Sequence, residues 1–209
     1  MKKRNKKLLK SSRKSFTMVK SKIVNGGIVM EKKNIDWSSI GFAYMPTDYR
    51  YVSNFKDGKW DEGTLSTDPN IVLNECAGVL QYSQSVFEGL KAYTTEDGHI
   101  VTFRPDLNAE RIAASAARLE MPVFPKERFI DAVEQVVKAN AAWVPPYGSG
   151  ATLYLRPYMF GSNAVIGVKP ADEYQFRAFV TPVGPYFKGG AKPITIKVSD
   201  FDRAAPNGT

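Results

Sequence analysis

The stretch YSQSVFEGLKAY, from Tyr82 to Tyr93, decides how the rest of the sequence is interpreted. It opens with hydroxyl and amide side chains and closes in residues that favour β structure. Successive side chains of a strand point to opposite faces, so every second residue from Tyr82 to Glu88 would share one face. Gly89 interrupts the alternation where a β-bulge or a close approach of another backbone is expected. The pattern predicts a half-buried strand that is interrupted by a bulge.

Two β-hairpins are predicted next to this stretch, because each of two Asp-Gly pairs separates residues that favour strands. Asp-Gly is a favoured pair in the tight turns that join antiparallel strands. The two turns and their flanking strands are Asp57-Gly58 between Tyr51–Phe55 and Lys59-Trp60, and Asp97-Gly98 between Leu90–Tyr93 and Ile100–Phe103.

Two amphipathic helices are predicted after the second hairpin. Asn108 is the expected N-cap of the first helix, which has Arg111 in its first turn and ends before Pro122. The second helix starts after Pro125 and ends at Pro145-Pro146. The apolar faces predicted for the two helices are formed by Ile112, Ala116 and Leu119, and by Phe129, Val133, Val136 and Val137.

Three later segments are predicted to be strands, over residues 151–160, 174–180 and 194–198. In the first of them Tyr154 and Arg156 alternate with leucines, so one face would pack on a core and the other would face an open space. Several strands with two adjacent helices predict an α+β fold.

The sequence divides into four predicted regions. Residues 1–33 form a basic leader that we expect to be disordered, and residues 34–184 form a small α+β domain. A glycine-rich interdomain loop covers residues 185–193, and residues 194–209 begin a second domain.

The net charge of +8 is misleading as an indicator of binding partners. The first 33 residues hold twelve basic residues and one acidic residue, whereas the remainder holds seventeen basic and twenty acidic residues. The body of the chain is therefore mildly acidic, and its composition gives no argument for binding nucleic acid. No apolar run follows the basic leader as in a secretory signal, and none approaches the length of a membrane span. We expect a cytoplasmic protein.

The chemistry-bearing residues exclude some classes of site. Cys76 is the single cysteine, so the chain forms no internal disulfide and no cysteine-based metal site, and we expect no bound metal. His99 is the single histidine and follows Asp97-Gly98, where it decorates a turn. A Ser-His-Asp triad would depend on this one histidine, which makes that mechanism improbable.

Two arginines are candidates for anion binding. Arg111, near the start of a helix, would lie close to free backbone amides that could bind a phosphate with it. It would otherwise be a surface arginine, or one paired with Asp106 or Glu110. Arg156 shares a strand face with Tyr154 and would meet either a substrate carboxylate or a structural salt-bridge partner.

Four segments in order resemble branched-chain amino acid aminotransferases, which are pyridoxal phosphate (PLP) enzymes of fold type IV. They are YSQSVFEGLKAY (82–93), FRPDLNAERIAASAARL (103–119), LYLRPYMFG (153–161) and PVGPYF (182–187). The resemblance runs from about Trp37 to Thr209. It implies the small N-terminal domain of that fold, a mixed or antiparallel sheet with two helices, followed by the first strand of the large domain.

The resemblance also implies roles for individual residues. Arg111 matches the arginine that holds the PLP phosphate, and Tyr82, Phe87, Tyr154, Arg156 and Tyr186 match positions around the substrate. Ile166 and Val168 match a loop that reaches the neighbouring subunit's active site, which implies a homodimer. Without the resemblance, Tyr186 would be a linker aromatic, and Ile166 and Val168 would cap the core. Glu88 is expected to have a structural role.

The implied reaction is transamination between leucine, isoleucine or valine and 2-oxoglutarate, with glutamate as the other amino acid. The Schiff-base lysine of the family is expected beyond Thr209, so the residues given are expected to be inactive alone. One alternative is another type IV enzyme, a D-amino acid aminotransferase or an aminodeoxychorismate lyase. The Tyr154-Leu155-Arg156 motif and the aromatic Tyr44–Tyr51 region favour the branched-chain enzymes over it. A second alternative is a non-catalytic binding fragment.

Overall fold

The computed structural model describes residues 31–187 and 192–198. The predicted leader falls outside these residues apart from its last three, and the predicted loop and second domain are described only in part. Lys32 Nζ donates to the carbonyl of Ala141 at 3.2 Å, and the amide of Lys33 donates to that of Ala142 at 3.0 Å. The last residues of the predicted leader are thus bonded to the domain.

One antiparallel sheet of eight strands forms the centre of the domain. Its strands are β1 (Arg50–Lys56), β2 (Lys59–Trp60), β3 (Thr64–Ser66), β4 (Ser85–Phe87), β5 (Leu90–Thr94), β6 (Ile100–Thr102), β7 (Thr152–Gly161) and β8 (Tyr174–Val183). The strand order is β2-β1-β8-β7-β5-β6, with β3 also paired to β1 and β4 also paired to β7. The sheet and its few helices confirm the predicted α+β class.

Both predicted hairpins are present. Asp57 and Gly58 take φ angles of 52° and 75°, the positive values that a two-residue turn with the twist of its strands requires. The second turn, between β5 and β6, places Gly98 at φ 79°. The Asp-Gly pairs therefore predicted these local structures correctly.

The helices are α1 (Gly78–Tyr82), α2 (Pro105–Arg118) and α3 (Lys126–Ala139), followed by a 3₁₀ turn over Ala141–Trp143. The N-cap predicted at Asn108 is wrong, because α2 begins three residues earlier at Pro105. Proline suits the first helical position, where its fixed φ is helical and no amide hydrogen is needed. Arg111 consequently lies in the second turn, away from the free amides of the helix end.

The stretch from Tyr82 to Tyr93 is only partly a strand. Tyr82 ends α1, and Ser83 takes a left-handed φ of 53° before β4 begins. Gly89 separates β4 from β5, and a Cβ at this position would lie 2.5 Å from the hydroxyl oxygen of Tyr154. The interruption at Gly89 was predicted correctly, whereas a strand over Tyr82 to Gln84 was wrong because helical bonds and a turn take up that backbone.

The hydrophobic core lies between α2, α3 and one face of the sheet. Alternate residues of β7, among them Leu153 and Leu155, are fully buried, and so is Phe129 of α3. Phe124, between the helices, stacks on Phe176 of β8 with ring centroids 3.9 Å apart. Complete burial of each such side chain contributes about 1.5–3 kcal/mol to stability. Because the leucines of β7 must face the core, the other face of the strand remains open.

The strand predicted over residues 194–198 is not observed. These residues form no ladder with any other described segment, and Ile194, Ile196 and Val198 are exposed. Alternating apolar residues become a strand only when a partner supplies hydrogen bonds, and the described part of the chain supplies none here.

Two classes of structure are not observed in residues 31–187 and 192–198. None of their helices is both long and apolar enough to cross a membrane. These residues also contain no group of three or more histidine, cysteine or acidic side chains that could hold a metal ion.

Candidate functional site

The face of β7 that points away from the core carries the candidate site. Tyr154, Arg156 and Tyr158 are half-buried on this face, while Leu153 and Leu155, which alternate with them, are buried in the core. β7 pairs with β8 on one edge and with β4 and β5 on the other, so its side chains stand on a rigid part of the sheet. The predicted alternation of this strand is confirmed.

Arg156 is held by aromatic groups. Its Nε and Nη2 donate hydrogen bonds to the hydroxyl oxygen of Tyr154 at 3.1 and 2.9 Å. Its guanidinium lies 4.4 Å from the ring centroid of Phe87, a cation–π distance. Arg156 forms no ion pair with any residue of the described segments, so the structural salt bridge considered for it is absent there.

Phe42 extends this aromatic surface, and the sequence analysis did not single it out. Its ring centroid lies 5.8 Å from that of Tyr154 and 5.3 Å from that of Tyr186. Tyr186 therefore reaches the site through Phe42. The aromatic character of residues 37–51 was the signal in the sequence, but it did not identify which ring turns toward β7.

A glycine allows the segment that carries Phe42 to lie against the end of β8. The amide of Gly184 donates to the carbonyl of Gly41 at 3.0 Å, and a Cβ on Gly184 would lie 2.0 Å from the carbonyl oxygen of Ile40. The amide of Met45 also donates to Thr181 Oγ1 at 2.8 Å. Only glycine permits this approach at position 184.

Arg111 pairs with Glu88, which is 4% exposed. Its Nε and Nη2 each donate to the carboxylate at 2.6 Å, and Asn108 Nδ2 donates to it at 2.8 Å. The hydrogen bonds and charge of Glu88 raise the pKa of Arg111 above its usual value. Asp106 and Glu110, the partners considered from the sequence, pair instead with Arg104 and Lys126.

The pairing leaves one edge of the Arg111 guanidinium available. Its Nη1 makes no hydrogen bond with the described residues, and 64% of the side chain is exposed. Glu88 thus fixes the plane of the guanidinium and leaves donors that an external anion can accept. Such an edge suits a phosphate oxygen, although the amides of the helix end are a turn away.

Glu88 and Gly89 connect the two arginines. Phe87 contacts Arg156, and Glu88 pairs with Arg111. Gly89 has no side chain, which leaves space for the hydroxyl of Tyr154. Two cationic side chains therefore contact consecutive residues, Phe87 at the end of β4 and Glu88 just after it.

Tyr82, Ile166 and Val168 form a separate group. The hydroxyl of Tyr82 donates to the carbonyl of Ile166, and Tyr82 and Val168 line a cavity of about 420 Å³. Ile166 and Val168 are 83% and 94% exposed. The Arg156 cluster consists of Arg156, Tyr154, Phe87, Phe42 and Tyr186. Within the described residues, no hydrogen bond or ring contact joins Tyr82 to this cluster.

No protein-family model matches the chain. It is 54% identical over 177 residues to a branched-chain-amino-acid aminotransferase of Haemophilus influenzae, covering 85% of this chain and 52% of that protein. It is 47% identical over 182 residues to one of Helicobacter pylori, covering 85% of this chain and 53% of that protein.

A solved structure of the branched-chain amino acid aminotransferase of Escherichia coli matches the fold. Its TM-score is 0.58 at 25% identity, covering 78% of this chain and 49% of the solved one. The chain spans about half the length of the relatives it matches. Over that length, the chain is a homologue of the branched-chain amino acid aminotransferases.

Proposed function

We propose that this chain belongs to a PLP-dependent aminotransferase that exchanges amino groups between leucine, isoleucine or valine and 2-oxoglutarate. The observation that carries the proposal is the setting of Arg156, which is held by Tyr154 and Phe87 and pairs with no carboxylate of the described residues. This setting occurs in a chain that is 54% identical to a branched-chain-amino-acid aminotransferase.

The Arg156 cluster suits substrates of two kinds. The distal carboxylate of glutamate or 2-oxoglutarate requires a fixed positive charge, which Arg156 supplies. An aliphatic side chain requires apolar surface, which the partly exposed rings of Phe87, Phe42 and Tyr186 supply. A guanidinium stacked on a ring is weakly hydrated, so an aliphatic chain can lie beside it at small cost.

The available edge of Arg111 fits the phosphate of the cofactor. Glu88 orients the guanidinium from one side, so that Nη1 can donate to a phosphate oxygen on the other. When bound, pyridoxal phosphate supplies the electron sink for the removal of the substrate's α proton. The part assigned to these residues is to bind the phosphate and the substrate carboxylate at fixed positions.

Ile166 and Val168 favour a homodimer. Both side chains are almost fully exposed, and the hydroxyl of Tyr82 holds the loop that carries them. Two exposed aliphatic residues on a tethered loop suit insertion into an apolar site of a second copy. In this proposal Tyr82, Ile166 and Val168 contact the substrate that is bound in the active site of the second subunit.

The proposal is tested in the full-length protein, which would include the lysine segment expected beyond Thr209. It is assayed with PLP, the three branched-chain amino acids and 2-oxoglutarate, and its Arg156→Ala variant is compared with the unchanged protein. Loss of the charged hydrogen bonds should lower kcat/KM for glutamate about ten- to a hundredfold. This corresponds to about 1.5–3 kcal/mol of lost transition-state stabilisation. The value for leucine should fall much less. Equal losses for glutamate and leucine would show that Arg156 does not receive the distal carboxylate.

Two further results separate the proposal from its alternatives. Turnover of D-amino acids in place of leucine would identify another type IV enzyme. Absence of turnover with every amino donor in the full-length protein, while it remains folded, would favour a binding function.

A further inference from the structure

A second cavity opens on the same side of the sheet, beside β8. Its volume is about 340 Å³, in the range of small-molecule sites. The residues that line it are Tyr44, Arg50, Pro69, Tyr158, Arg177, Ala178 and Phe179. Two of them are arginines on adjacent strands, and neither belongs to the site proposed for the amino donor.

Both arginines are buried. Arg50 is 4% exposed and Arg177 is 7% exposed. Neither forms an ion pair with a described residue, and their hydrogen bonds go to neutral oxygens. A buried charge is costly unless an opposite charge accompanies it. The cavity therefore has a positive charge that no carboxylate of the described residues contacts directly.

Arg177 is the less satisfied of the two. Its Nη2 lies 3.5 Å from the carbonyl oxygens of Asp68 and Asn70, which is long for a hydrogen bond. Its Nη1 lies 3.3 Å from Gln175 Oε1. Arg50 has closer partners, with Nη2 3.1 Å from the carbonyl oxygen of Thr47. An anion in the cavity would gain most from Arg177.

Two acidic groups interact with the charges of these arginines without pairing with them: Asp48, which pairs with Lys33, and Asp68. The carboxylate of Asp68 accepts from the amide and the side chain of Asn70, both at 2.9 Å, and it is exposed. Those bonds are the main reason that its pKa lies below the usual value, and the charges of Arg177 and Arg50 contribute less. Asp68 thus weakens the field of the arginines without pairing with them.

The remaining walls of the cavity are aromatic. The ring of Phe179 lies 5.9 Å from that of Tyr44 and 6.0 Å from that of Tyr158. Burial is the main cause that raises the pKa of Tyr158, so its hydroxyl stays neutral at pH 7 and can donate a hydrogen bond. Rings around two cations suit a ligand that has an anionic end and an apolar body.

We infer that this cavity binds a small organic carboxylate with an apolar body, separately from the Arg156 site. Arg177 and Arg50 receive the carboxylate, and Tyr44, Tyr158 and Phe179 surround the body of the ligand. In the sheet Arg156 is opposite Phe179 and Tyr158 is opposite Arg177, so the two sites are neighbours that use different arginines.

Calorimetric titration of the 209-residue chain with 3-methylbutanoate, acetate and inorganic phosphate tests the inference. The Arg156→Gln variant serves as the starting protein, so that ligand held by Arg156 does not contribute. We expect 3-methylbutanoate to bind at least about tenfold more tightly than acetate or phosphate. Adding Arg177→Gln should weaken it by about tenfold or more, since charged hydrogen bonds are lost.

Arg118→Gln is the matched control, because it removes one positive charge from an exposed residue at the end of α2 and should change the affinity by less than about twofold. Affinity unchanged by Arg177→Gln, phosphate binding as tight as that of 3-methylbutanoate, or no binding would each overturn the inference. Loss of binding in Arg156→Gln relative to the unchanged chain would also overturn it, by placing the ligand at the Arg156 site.

A measurement without a substitution at Arg177 covers the case in which Arg177→Gln fails to fold. Hydrogen exchange of the Arg156→Gln chain should slow with 3-methylbutanoate around residues 67–70 and 175–180, and stay unchanged around residues 82–87. Slower exchange at residues 82–87 alone would contradict the inference.

Discussion

Arg111 and Arg156 lie on the two sides of Glu88-Gly89 and hold their charges in opposite ways. Arg111 is largely exposed but pairs with a carboxylate that is buried. Arg156 is half-buried but rests on a phenol and a ring, with no carboxylate among the described residues. The difference teaches that the fold itself requires Arg111, because Glu88 would otherwise be a buried charge. Arg156 balances no carboxylate of the described residues, so its charge is available to the ligand proposed above.

Arg111→Ala should have the largest effect on stability. It leaves the carboxylate of Glu88 buried with only amide donors, and breaking a buried pair in this way costs about 3–5 kcal/mol, reduced here because water reaches Arg111. Urea unfolding should show a loss of about 2–4 kcal/mol in the free energy of unfolding, against about 1 kcal/mol or less for Arg156→Ala. Equal losses would remove the distinction between the two arginines.

The double variant Arg111→Ala with Glu88→Gln sharpens this prediction. Because glutamine carries no charge, the double variant should be more stable than Arg111→Ala alone. A double variant that is no more stable would mean that the cost of Arg111→Ala comes from lost packing.

Gly89→Ala should disturb Arg156 through Tyr154. The added Cβ would lie 2.5 Å from the hydroxyl oxygen of Tyr154, so the ring must move and take the anchor of Arg156 with it. Overpacking of this kind costs about 1–3 kcal/mol in the free energy of unfolding. Gly167→Ala is the control, since nothing lies within 4 Å of the position of its Cβ. Similar losses in the two variants would contradict the close approach.

Tyr154→Phe tests the phenol that orients Arg156. It removes the acceptor of two hydrogen bonds and leaves the ring, so the guanidinium is held only by its cation–π contacts with Phe87 and with the ring at position 154. In the full-length protein we expect kcat/KM for glutamate to fall about fivefold, which corresponds to about 1 kcal/mol, with a smaller change for leucine. An equal change for both amino acids would mean that the phenol does not act through Arg156.

Phe87→Leu should have the smallest effect. It keeps an apolar side chain but removes the ring below Arg156, a contact worth about 0.5–1 kcal/mol at an exposed site. Thermal unfolding should show this loss for Phe87→Leu and less for Phe103→Leu, since Phe103 is also exposed but has no ring or cation contact in the described segments. No difference between the two would exclude the cation–π contact.

Features that depend on neighbouring residues were predictable from the sequence. The two Asp-Gly turns, the alternating faces of β7 and the apolar stripe of α3 each follow from a spacing within about a dozen residues. The start of α2 was predictable too. Pro105 is a favoured residue at the first helical position, but Asn108 was predicted as the cap and the proline was not considered.

Features that depend on long-range contacts were not predictable. Glu88 and Arg111 are 23 residues apart, and only the pairing of strands and helices shows that they meet. Arg50 and Arg177 are brought together by the pairing of β1 with β8. At residues 194–198 a strand was predicted from local alternation but is not observed, because a strand needs a partner that is distant in the sequence.

The contact between residues 41–45 and the end of β8 has a consequence for the order of folding. Met45 bonds to Thr181 across 136 residues, so almost the whole domain is enclosed by the loop that this bond closes. Closing a long loop costs entropy that only already paired strands can repay, and contacts of high sequence separation form slowly. The hairpins and α3 involve short separations and can form early, whereas Phe42 reaches Tyr154 only after β8 has joined the sheet. The contacts of Phe42 with Tyr154 and Tyr186 are therefore among the last parts of the domain to form.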